Sequence, residues 1–347
     1  MTAPRIDLYS DTHTLPTQAM RQAMAEAEVG DEQNFEDPTV NKLCAMVAEL
    51  LGQEAAVFLP SGTMCNQIAF RVHCQPGDEI ILDYFAHPIN AESGGPSALA
   101  QAQTRTLHTE HGIFTADQVR GALRRVNRNT PRSRVLSVEN TTNAGGGSVW
   151  PIEDIAAVTA VAKENGMATH MDGARLLNAV VESGTSAKEY GGYFDSLWID
   201  LSKGLGCPVG GVLAGSADFI DQAWRQKQLL GGAMRQAGII AAAGVYALEN
   251  NIERMTDDHD NAKKLAEGIA NIDGLTLEFG EPQTNMIYFS VDKSRMTAQD
   301  LHEKLLAEHG VRVGVSGAQR FRAVTHLDIS ANDIDDALDG LNNVLAA

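Results

Sequence analysis

The chain has 347 residues and a net charge of −18, with 27 Lys and Arg against 45 Asp and Glu. At about 100–200 residues per domain this length predicts two domains, and an apolar fraction of 44% excludes a disordered chain. The acidic balance disfavours nucleic acid and anionic membrane surfaces as partners. The four cysteines lack metal-ligand spacing and the N-terminus lacks a signal-peptide pattern, so we expect a cytoplasmic protein without disulfides.

Up to about residue 230 the hydrophobic pattern alternates between helices and short buried strands. An extended arm of fifteen residues is followed by predicted helices at 16–27 and 38–51. Apolar runs then predict strands at 55–59, 79–82, 134–138, 168–171, 196–201 and 211–213, with helices at 64–74, 116–126 and 152–165 between them. Strands that alternate with helices imply crossover connections and an α/β fold with a mostly parallel sheet.

Beyond residue 230 two helical patterns, at 233–249 and 252–272, follow one another without a strand between them. A smaller α+β section comes next, with strands predicted at 276–279, 286–291 and 311–315 and helices at 298–309 and 331–345. We therefore predict an N-terminal arm and large domain over residues 1–249 and a small C-terminal domain over residues 250–347.

Four groups of reactive residues follow predicted strands, where open parallel sheets bind ligands. Gly62 and Thr63 open a helix, and their amides can hold a phosphate. Asp172 can pair with a protonated ring nitrogen, and Lys203 can form an imine with a carbonyl group. His87 can stack on a planar ring and transfer a proton. Taken singly, these residues also fit helix caps, a surface lysine and a loop histidine; in this order they predict a site for pyridoxal 5'-phosphate.

The same segments resemble the L-threonine aldolase family, whose members have the aspartate-aminotransferase fold of fold-type I pyridoxal phosphate enzymes. The resemblance spans nearly the whole chain, through segments at 10–12, 36–41, 60–64, 86–87, 170–175, 202–206, 234–238 and 324–328. It implies a large domain with a mostly parallel sheet and a smaller α+β domain.

For the cofactor, the resemblance implies that Lys203 forms the covalent link and Asp172 contacts the ring nitrogen. It implies that His87 stacks on the ring, and that Gly62 and Thr63 bind the phosphate.

For the substrate, it implies that Ser10, Arg175 and Arg322 hold the carboxylate of an amino acid, because guanidinium groups bind carboxylates well. It also implies that Arg235 reaches the phosphate in a neighbouring subunit. The chain would then form a homodimer or homotetramer with shared active sites.

Three departures from the family pattern leave the substrate open. Thr142 stands where the family often has a histidine near the substrate hydroxyl, and threonine cannot act as a base near neutral pH. Asn34 and Phe35 replace a Tyr-Gly pair beside the pocket, and Lys227 and Gln228 replace an Arg-Lys pair.

The expected activity is retro-aldol cleavage of an L-β-hydroxy-α-amino acid such as threonine, allo-threonine or a phenylserine to glycine and an aldehyde. Lys203 and His87 are the expected catalytic residues, with His87 or a water that it orients deprotonating the hydroxyl. The alternatives are a β-eliminating lyase or an aminotransferase of the same fold, or a non-catalytic cofactor-binding protein. We expect no metal site, and we interpret the acidic segment at 256–260 as a solvated helix face.

Overall fold

The computed structural model describes residues 4–346, and its elements are numbered in chain order. The strands are β1 (Ile6–Leu8), β2 (Ala55–Leu59), β3 (Glu79–Asp83), β4 (Gln103–Leu107), β5 (Ser133–Glu139), β6 (Ala168–Gly173), β7 (Ser196–Asp200), β8 (Gly211–Gly215), β9 (Leu275–Leu277), β10 (Met286–Val291), β11 (Val311–Val315) and β12 (Arg320–Val324). The α-helices are α1 (Gln18–Ala25), α2 (Pro38–Leu51), α3 (Gly62–His73), α4 (His87–Asn90), α5 (Gly95–Ala98), α6 (Ala116–Ala122), α7 (Ile152–Glu164), α8 (Leu176–Ser183), α9 (Ala187–Gly191), α10 (Ala217–Leu229), α11 (Gly238–Asn250), α12 (Met255–Ala270), α13 (Ala298–His309) and α14 (Ala331–Ala346).

The larger sheet has the strand order β2-β8-β7-β6-β5-β3-β4. Strand β8 is antiparallel to both of its neighbours, and the other adjacent strands are parallel. Helices pack on the sheet, and the apolar runs predicted as strands form its buried centre. The expected α/β class and mostly parallel sheet are therefore confirmed.

Local capping explains where helix α2 begins and ends. The Asp37 carboxylate accepts hydrogen bonds from the amides of Thr39 and Val40, and proline occupies the first helical position. The helix ends at Gly52, whose φ of 65° lies in the left-handed region that glycine adopts easily. Both signals are local, which is why the sequence predicts this helix well.

The smaller sheet has the order β1-β11-β12-β10-β9. Its strand β1 comes from the segment that the sequence indicated as an arm, and it pairs in parallel with β11. Strands β4 and β12 were not predicted, because their sequences QTRTL and RFRAV contain several polar residues and no continuous apolar run. The division of the chain at residue 250 stays a prediction.

The interpretation of residues 256–260 as a fully solvated face is wrong for two of them. Asp258 and His259 are buried on helix α12, whereas Asp257 and Asp260 are exposed. Asp258 pairs with Arg254 one turn earlier, with the Nη1–Oδ2 atoms 2.9 Å apart. A helix packed on one side buries residues from that face whatever their charge, provided that they find partners.

Within residues 4–346, the helices include none whose length and apolar character would let it cross a membrane.

A buried ion pair joins helix α10 to the loop before α2. Lys227 and Glu32 are both almost fully buried and in contact, and the Lys227 ammonium also lies 4.2 Å from the ring centre of Trp224. Burial lowers the pKa of Lys227, and its hydrogen bond to Glu32 opposes that shift. Glu32 also accepts a hydrogen bond from the amide of Met234 at 2.8 Å. Through both contacts, Glu32 ties the loop between α1 and α2 to helix α10 and to the loop that follows it.

We expect Lys227→Met to lower the free energy of unfolding by about 3–5 kcal/mol, because it leaves the Glu32 carboxylate buried without its partner. The matched control is Lys42→Met, since Lys42 forms an exposed pair with Glu249 at 2.9 Å. Exposed pairs contribute only about 0–1 kcal/mol. Urea unfolding at one fixed protein concentration measures the free energy of unfolding of both variants. An equal decrease in the two variants would contradict the prediction.

Candidate active site

A cavity of about 280 Å³ opens at the carboxyl ends of β5, β6 and β7. The structure brings eight of the ten predicted site residues to its walls: Ser10, Gly62, Thr63, His87, Asp172, Arg175, Lys203 and Arg322. Thr142 and Arg235 do not line it. Residues that are separated by up to 312 positions in the chain therefore meet at one sheet edge, which is where parallel sheets bind ligands.

The amino end of helix α3 forms one wall of the cavity. The Ser61 hydroxyl caps this helix by accepting a hydrogen bond from the amide of Met64 at 3.2 Å. Within residues 4–346 the amides of Gly62 and Thr63 donate no hydrogen bond. Free amides and the positive end of the helix dipole together favour an anion such as a phosphate group.

Glycine at position 62 is also a packing requirement. A Cβ atom there would lie 2.2 Å from the Trp198 ring. Any larger residue would displace either the ring or the start of helix α3, whose free amides face the cavity.

The Asp172 carboxylate lies at the end of strand β6 and is buried. One of its oxygens accepts a hydrogen bond from the Asn66 amide at 2.8 Å, and the other accepts one from the backbone amide of Ala174 at 3.1 Å. Burial raises the pKa of Asp172, and the charge of His87 opposes the shift. The carboxylate is thus fixed in position and would gain from a cationic partner in the cavity.

Lys203 follows strand β7 and its side chain is largely shielded, with 17% of its surface exposed. Its ammonium contacts the carboxylate of Asp200. The other oxygen of Asp200 accepts hydrogen bonds from the backbone amide and hydroxyl of Ser202, at 2.7 and 2.8 Å. Asp200 therefore sets where the lysine nitrogen lies in the cavity.

His87 forms the first residue of helix α4 and pairs with a buried carboxylate. Its Nδ1 atom lies 2.8 Å from Oε1 of Glu92, whose side chain is fully buried. Glu92 also accepts hydrogen bonds from Asn66 at 2.8 Å and from Gln67 at 2.6 Å. The hydrogen bond to Glu92 raises the pKa of His87 against the effect of burial. The imidazole is therefore oriented and readily protonated.

Ligand atoms of His87, Glu92 and Asp172 lie within 4.8 Å of one another, a spacing that could hold a metal ion. The imidazole of His87, whose pKa is raised by its hydrogen bond to Glu92, lies beside these two carboxylates. The amide of Asn66 bridges the same carboxylates. The cluster is therefore accounted for by hydrogen bonds among its own residues.

Arg175 reaches the cavity as one half of a buried ion pair. Its Nε and Nη2 atoms both lie 2.7 Å from the two carboxylate oxygens of Asp11. Burial acts to raise the pKa of Asp11, but the Arg175 guanidinium holds that pKa well below its ordinary value. The sequence analysis expected Arg175 to bind the substrate carboxylate. In the structure, the Nε–Nη2 edge of the guanidinium binds Asp11 instead. Within residues 4–346, the Nη1 atom and the second N–H of Nη2 donate no hydrogen bond and remain for a ligand.

Arg322 and Ser10 come to the cavity from the smaller sheet. Arg322 lies on β12 and donates a hydrogen bond from Nη1 to the side-chain oxygen of Asn143 at 2.9 Å. Ser10 follows β1, and its hydroxyl accepts a hydrogen bond from the amide of Thr12 at 3.2 Å. The carboxylate-binding residues predicted from the sequence therefore belong to two different sheets.

Thr142 is buried but faces away from the cavity, which is lined by its neighbours Thr141 and Asn143. Its side chain packs closely on Gly112 and Gly145, where added Cβ atoms would lie 2.9 and 2.5 Å from Thr142. The structure thus places Thr141 and Asn143 where the sequence analysis expected Thr142, and an influence of Thr142 on substrate choice stays a prediction.

Arg235 lies outside the cavity of its own chain, with 64% of its side chain exposed, and pairs with Asp31 at 2.8 Å. The neighbouring departure at Phe35 is also exposed, and its ring meets the edge of Trp224 at 5.3 Å between ring centres. Neither side chain lines the cavity of the same chain. The expected contact of Arg235 with a second subunit stays a prediction.

Sequence reasoning missed the residues that hold the predicted ones in place: Asp11, Asn66, Glu92, Glu139 and Asp200. Asp11 lies inside a segment that resembles the family, and Glu139 lies three residues before Thr142, so an acidic residue close to a predicted site residue was the available signal. Asn66 lies inside a predicted helix, Glu92 lies ten residues beyond a predicted strand, and Asp200 lies within one, so the sequence offers no local signal for these three residues.

Comparison with known proteins agrees with this architecture. Residues 7–292 match the family described as Beta-eliminating lyase, so the chain belongs to that family. Its fold is α/β, and its family is one of lyases. The chain is also 41% identical over 330 residues to the low specificity L-threonine aldolase of Escherichia coli (strain K12). The aligned region covers 95% of this chain and 96% of the relative. The expected L-threonine aldolase family is thereby confirmed.

Solved structures confirm the fold. The threonine aldolase of Leishmania major superposes with a TM-score of 0.84 at 18% identity, over 98% of this chain and 99% of that one. A structure of SPT with its PLP internal aldimine superposes with a TM-score of 0.75 at 15% identity, over 98% and 87%. The expected fold-type I architecture is therefore present.

We expect Glu92→Gln to lower the pKa of His87, because a neutral amide stabilises the protonated imidazole less than a carboxylate does. Nuclear magnetic resonance titration of the imidazole signals measures the change. Glu79→Gln is the control. Glu79 is also a buried carboxylate, but its partner is Arg124 and not His87. A His87 pKa that is the same in the wild type and in Glu92→Gln would contradict the prediction.

Proposed function

We propose that this protein cleaves L-β-hydroxy-α-amino acids to glycine and an aldehyde, with pyridoxal phosphate as cofactor. The observation that carries the proposal is the single cavity in which Lys203, Asp172 and the free amides of helix α3 meet. Members of the family with 41% identity are named low specificity L-threonine aldolases. Threonine, allo-threonine and phenylserine-like amino acids are accordingly the proposed substrates.

The residues present fit the cofactor. Its phosphate would bind the amides of Gly62 and Thr63. Its ring nitrogen would pair with the buried carboxylate of Asp172, whose two hydrogen bonds come from neutral amides. Lys203 would supply the amine that binds its carbonyl carbon. When bound, pyridoxal phosphate accepts the electron pair that remains when the Cα–Cβ bond of the substrate breaks.

Substrate orientation falls to Ser10, Arg175 and Arg322. Asp11 holds Arg175 in place through Nε and Nη2, so that Nη1 and the second N–H of Nη2 are fixed in position. Arg322 approaches from the other sheet, and the Ser10 hydroxyl lies on the same wall. Two guanidinium groups that are already ordered bind a carboxylate without a large loss of side-chain entropy.

Proton transfer from the substrate hydroxyl is assigned to His87, acting directly or through a water. The imidazole accepts a proton only in its neutral form. Because Glu92 raises the pKa of His87, the neutral form gains population only as the pH rises above that raised pKa. Turnover should therefore increase with pH across this titration.

We also propose that the chain forms a homodimer or homotetramer in which Arg235 contacts the phosphate bound by a second subunit. Arg235 is exposed and remote from the cavity of its own chain. Exposed apolar side chains such as Phe35, Leu229 and Ile239 offer surface for a subunit contact. A cytoplasmic location remains an expectation from the sequence.

The function is tested by supplying L-threonine, L-allo-threonine and phenylserine separately and measuring glycine and aldehyde. We expect equal amounts of glycine and aldehyde from the wild type and none from Lys203→Ala, because the amine is lost. Borohydride should attach the cofactor to the peptide that contains Lys203. Lys163→Ala, at an exposed helix position, is the control. A 2-oxo acid and ammonia in place of glycine would favour the eliminating lyase.

We expect Arg235→Ala to weaken cofactor retention by about tenfold or more, since a charge-assisted phosphate contact contributes about 1.5–3 kcal/mol. Equilibrium dialysis against pyridoxal phosphate measures the affinity, with Arg120→Ala on helix α6 as an exposed control. Mixing Arg235→Ala with Lys203→Ala protomers should restore part of the activity. No recovery in verified mixed oligomers would favour a site built within one chain.

A further inference from the structure

Glu139 is a cavity residue that the proposed reaction does not use. It ends strand β5 and pairs in register with Asp172 on β6, so the two side chains lie next to each other on one face of the sheet. Both carboxylates line the cavity. Two neighbouring acidic groups repel each other, so the position of Glu139 requires compensating contacts.

Those contacts are two backbone amides from two separate segments. One carboxylate oxygen accepts the amide of His87 at 2.7 Å, and the other accepts the amide of Asn143 at 2.6 Å. Hydrogen bonds from amides to an ionised carboxylate are stronger than those between neutral groups. A single side chain thus fixes the start of helix α4 and the loop after β5.

The second contact continues to the smaller sheet. The side-chain oxygen of Asn143 accepts a hydrogen bond from Arg322 at 2.9 Å, and its backbone carbonyl accepts one from the Tyr288 hydroxyl at 3.2 Å. Glu139 is therefore two hydrogen bonds away from the Arg322 guanidinium. The first contact ends at His87 on the other side of the cavity.

We propose that Glu139 is a positioning residue. It holds His87 directly and Arg322 through Asn143, and thereby fixes the position of these two side chains relative to each other. The inference rests on the proposed function for the roles of His87 and Arg322. It assigns Glu139 no contact with the reacting atoms. What it adds is a physical link between the proton acceptor and the arginine that binds the substrate carboxylate.

The charge of Glu139 changes in an accessible pH range. Burial and then the charge of Asp172 raise the pKa of Glu139 to about 7, against the hydrogen bonds from the two amides. The charged and titratable groups around it in the cavity are His87, Asp172, Arg175, Asp200, Lys203 and Arg322, with Glu92 behind His87. Below this pH the carboxyl group becomes protonated and is a weaker acceptor for the amides.

The first test measures hydrogen exchange of the purified holoenzyme at pH 8 by mass spectrometry, comparing the wild type with Glu139→Gln. Glutamine offers only one oxygen to the two amides. We expect exchange at least tenfold faster in the peptides that contain His87 and Asn143, with helix α7 unchanged. Glu281→Gln, at an exposed position outside this cavity, is the control. Unchanged rates, or faster exchange throughout the chain, would overturn the local role.

The second test separates binding from turnover with L-threonine. Asn143→Ala keeps the amide bonded to Glu139 but removes the oxygen that holds Arg322. We expect KM to rise at least tenfold and by a larger factor than kcat falls, because substrate holding is impaired most. An unchanged KM would break the proposed link to Arg322.

The pH profile distinguishes the two variants. Asn143→Ala should keep the wild-type dependence of kcat/KM around pH 7, whereas Glu139→Gln should lose the part due to this carboxyl group. An unaltered profile in Glu139→Gln would overturn the inference. If the wild type formed no glycine from any substrate, the proposed function would fail, and hydrogen exchange would still decide the role of Glu139.

Discussion

The active-site region depends on the side chain of Asn66, which bridges the buried carboxylates of Asp172 and Glu92 by hydrogen bonds. Its side-chain nitrogen donates to Asp172 and to Glu92, both at 2.8 Å, while its oxygen accepts from the Trp198 ring nitrogen at 2.7 Å. Buried carboxylates are costly unless they are hydrogen-bonded. One amide on helix α3 thus keeps two acidic groups in place below the cavity, so that Asp172 faces a ligand and Glu92 orients His87.

The cavity balances three cations against the carboxylates of Glu139, Asp172 and Asp200, although the whole molecule is strongly acidic. The chain carries a net charge of −18, yet Arg175, Lys203 and Arg322 line the same cavity, beside the amino end of helix α3. Low-dielectric surroundings strengthen these local fields, whereas the distant surface charges are screened by salt. An anionic cofactor and an amino acid carboxylate can therefore bind within an acidic protein.

The cavity also depends on the meeting of the two sheets. The larger sheet supplies Asp172 and Lys203, and the smaller one brings Arg322 on β12 and Ser10 after β1. The contact between Asp11 and Arg175 crosses the same boundary, as does the one between Asn143 and Arg322. Substrate holding is consequently sensitive to the relative position of the sheets. The cofactor residues of the cavity, by contrast, all lie on strands of the larger sheet or in the segments that follow them.

The sequence by itself determined the α/β class, strands such as β2, and helix α2, because apolar runs and caps act over a few residues. It also indicated Asp172 and Lys203, since reactive residues that directly follow buried strands are recognisable locally. It did not indicate strands β4 and β12, because these segments are strands through their pairing with neighbours and not through their composition. Only the tertiary structure decided that Arg175 pairs with Asp11, 164 positions away, and that Thr142 turns from the cavity while Asn143 faces it. Such contacts depend on which surfaces the fold brings together, and no local pattern encodes the distance between them.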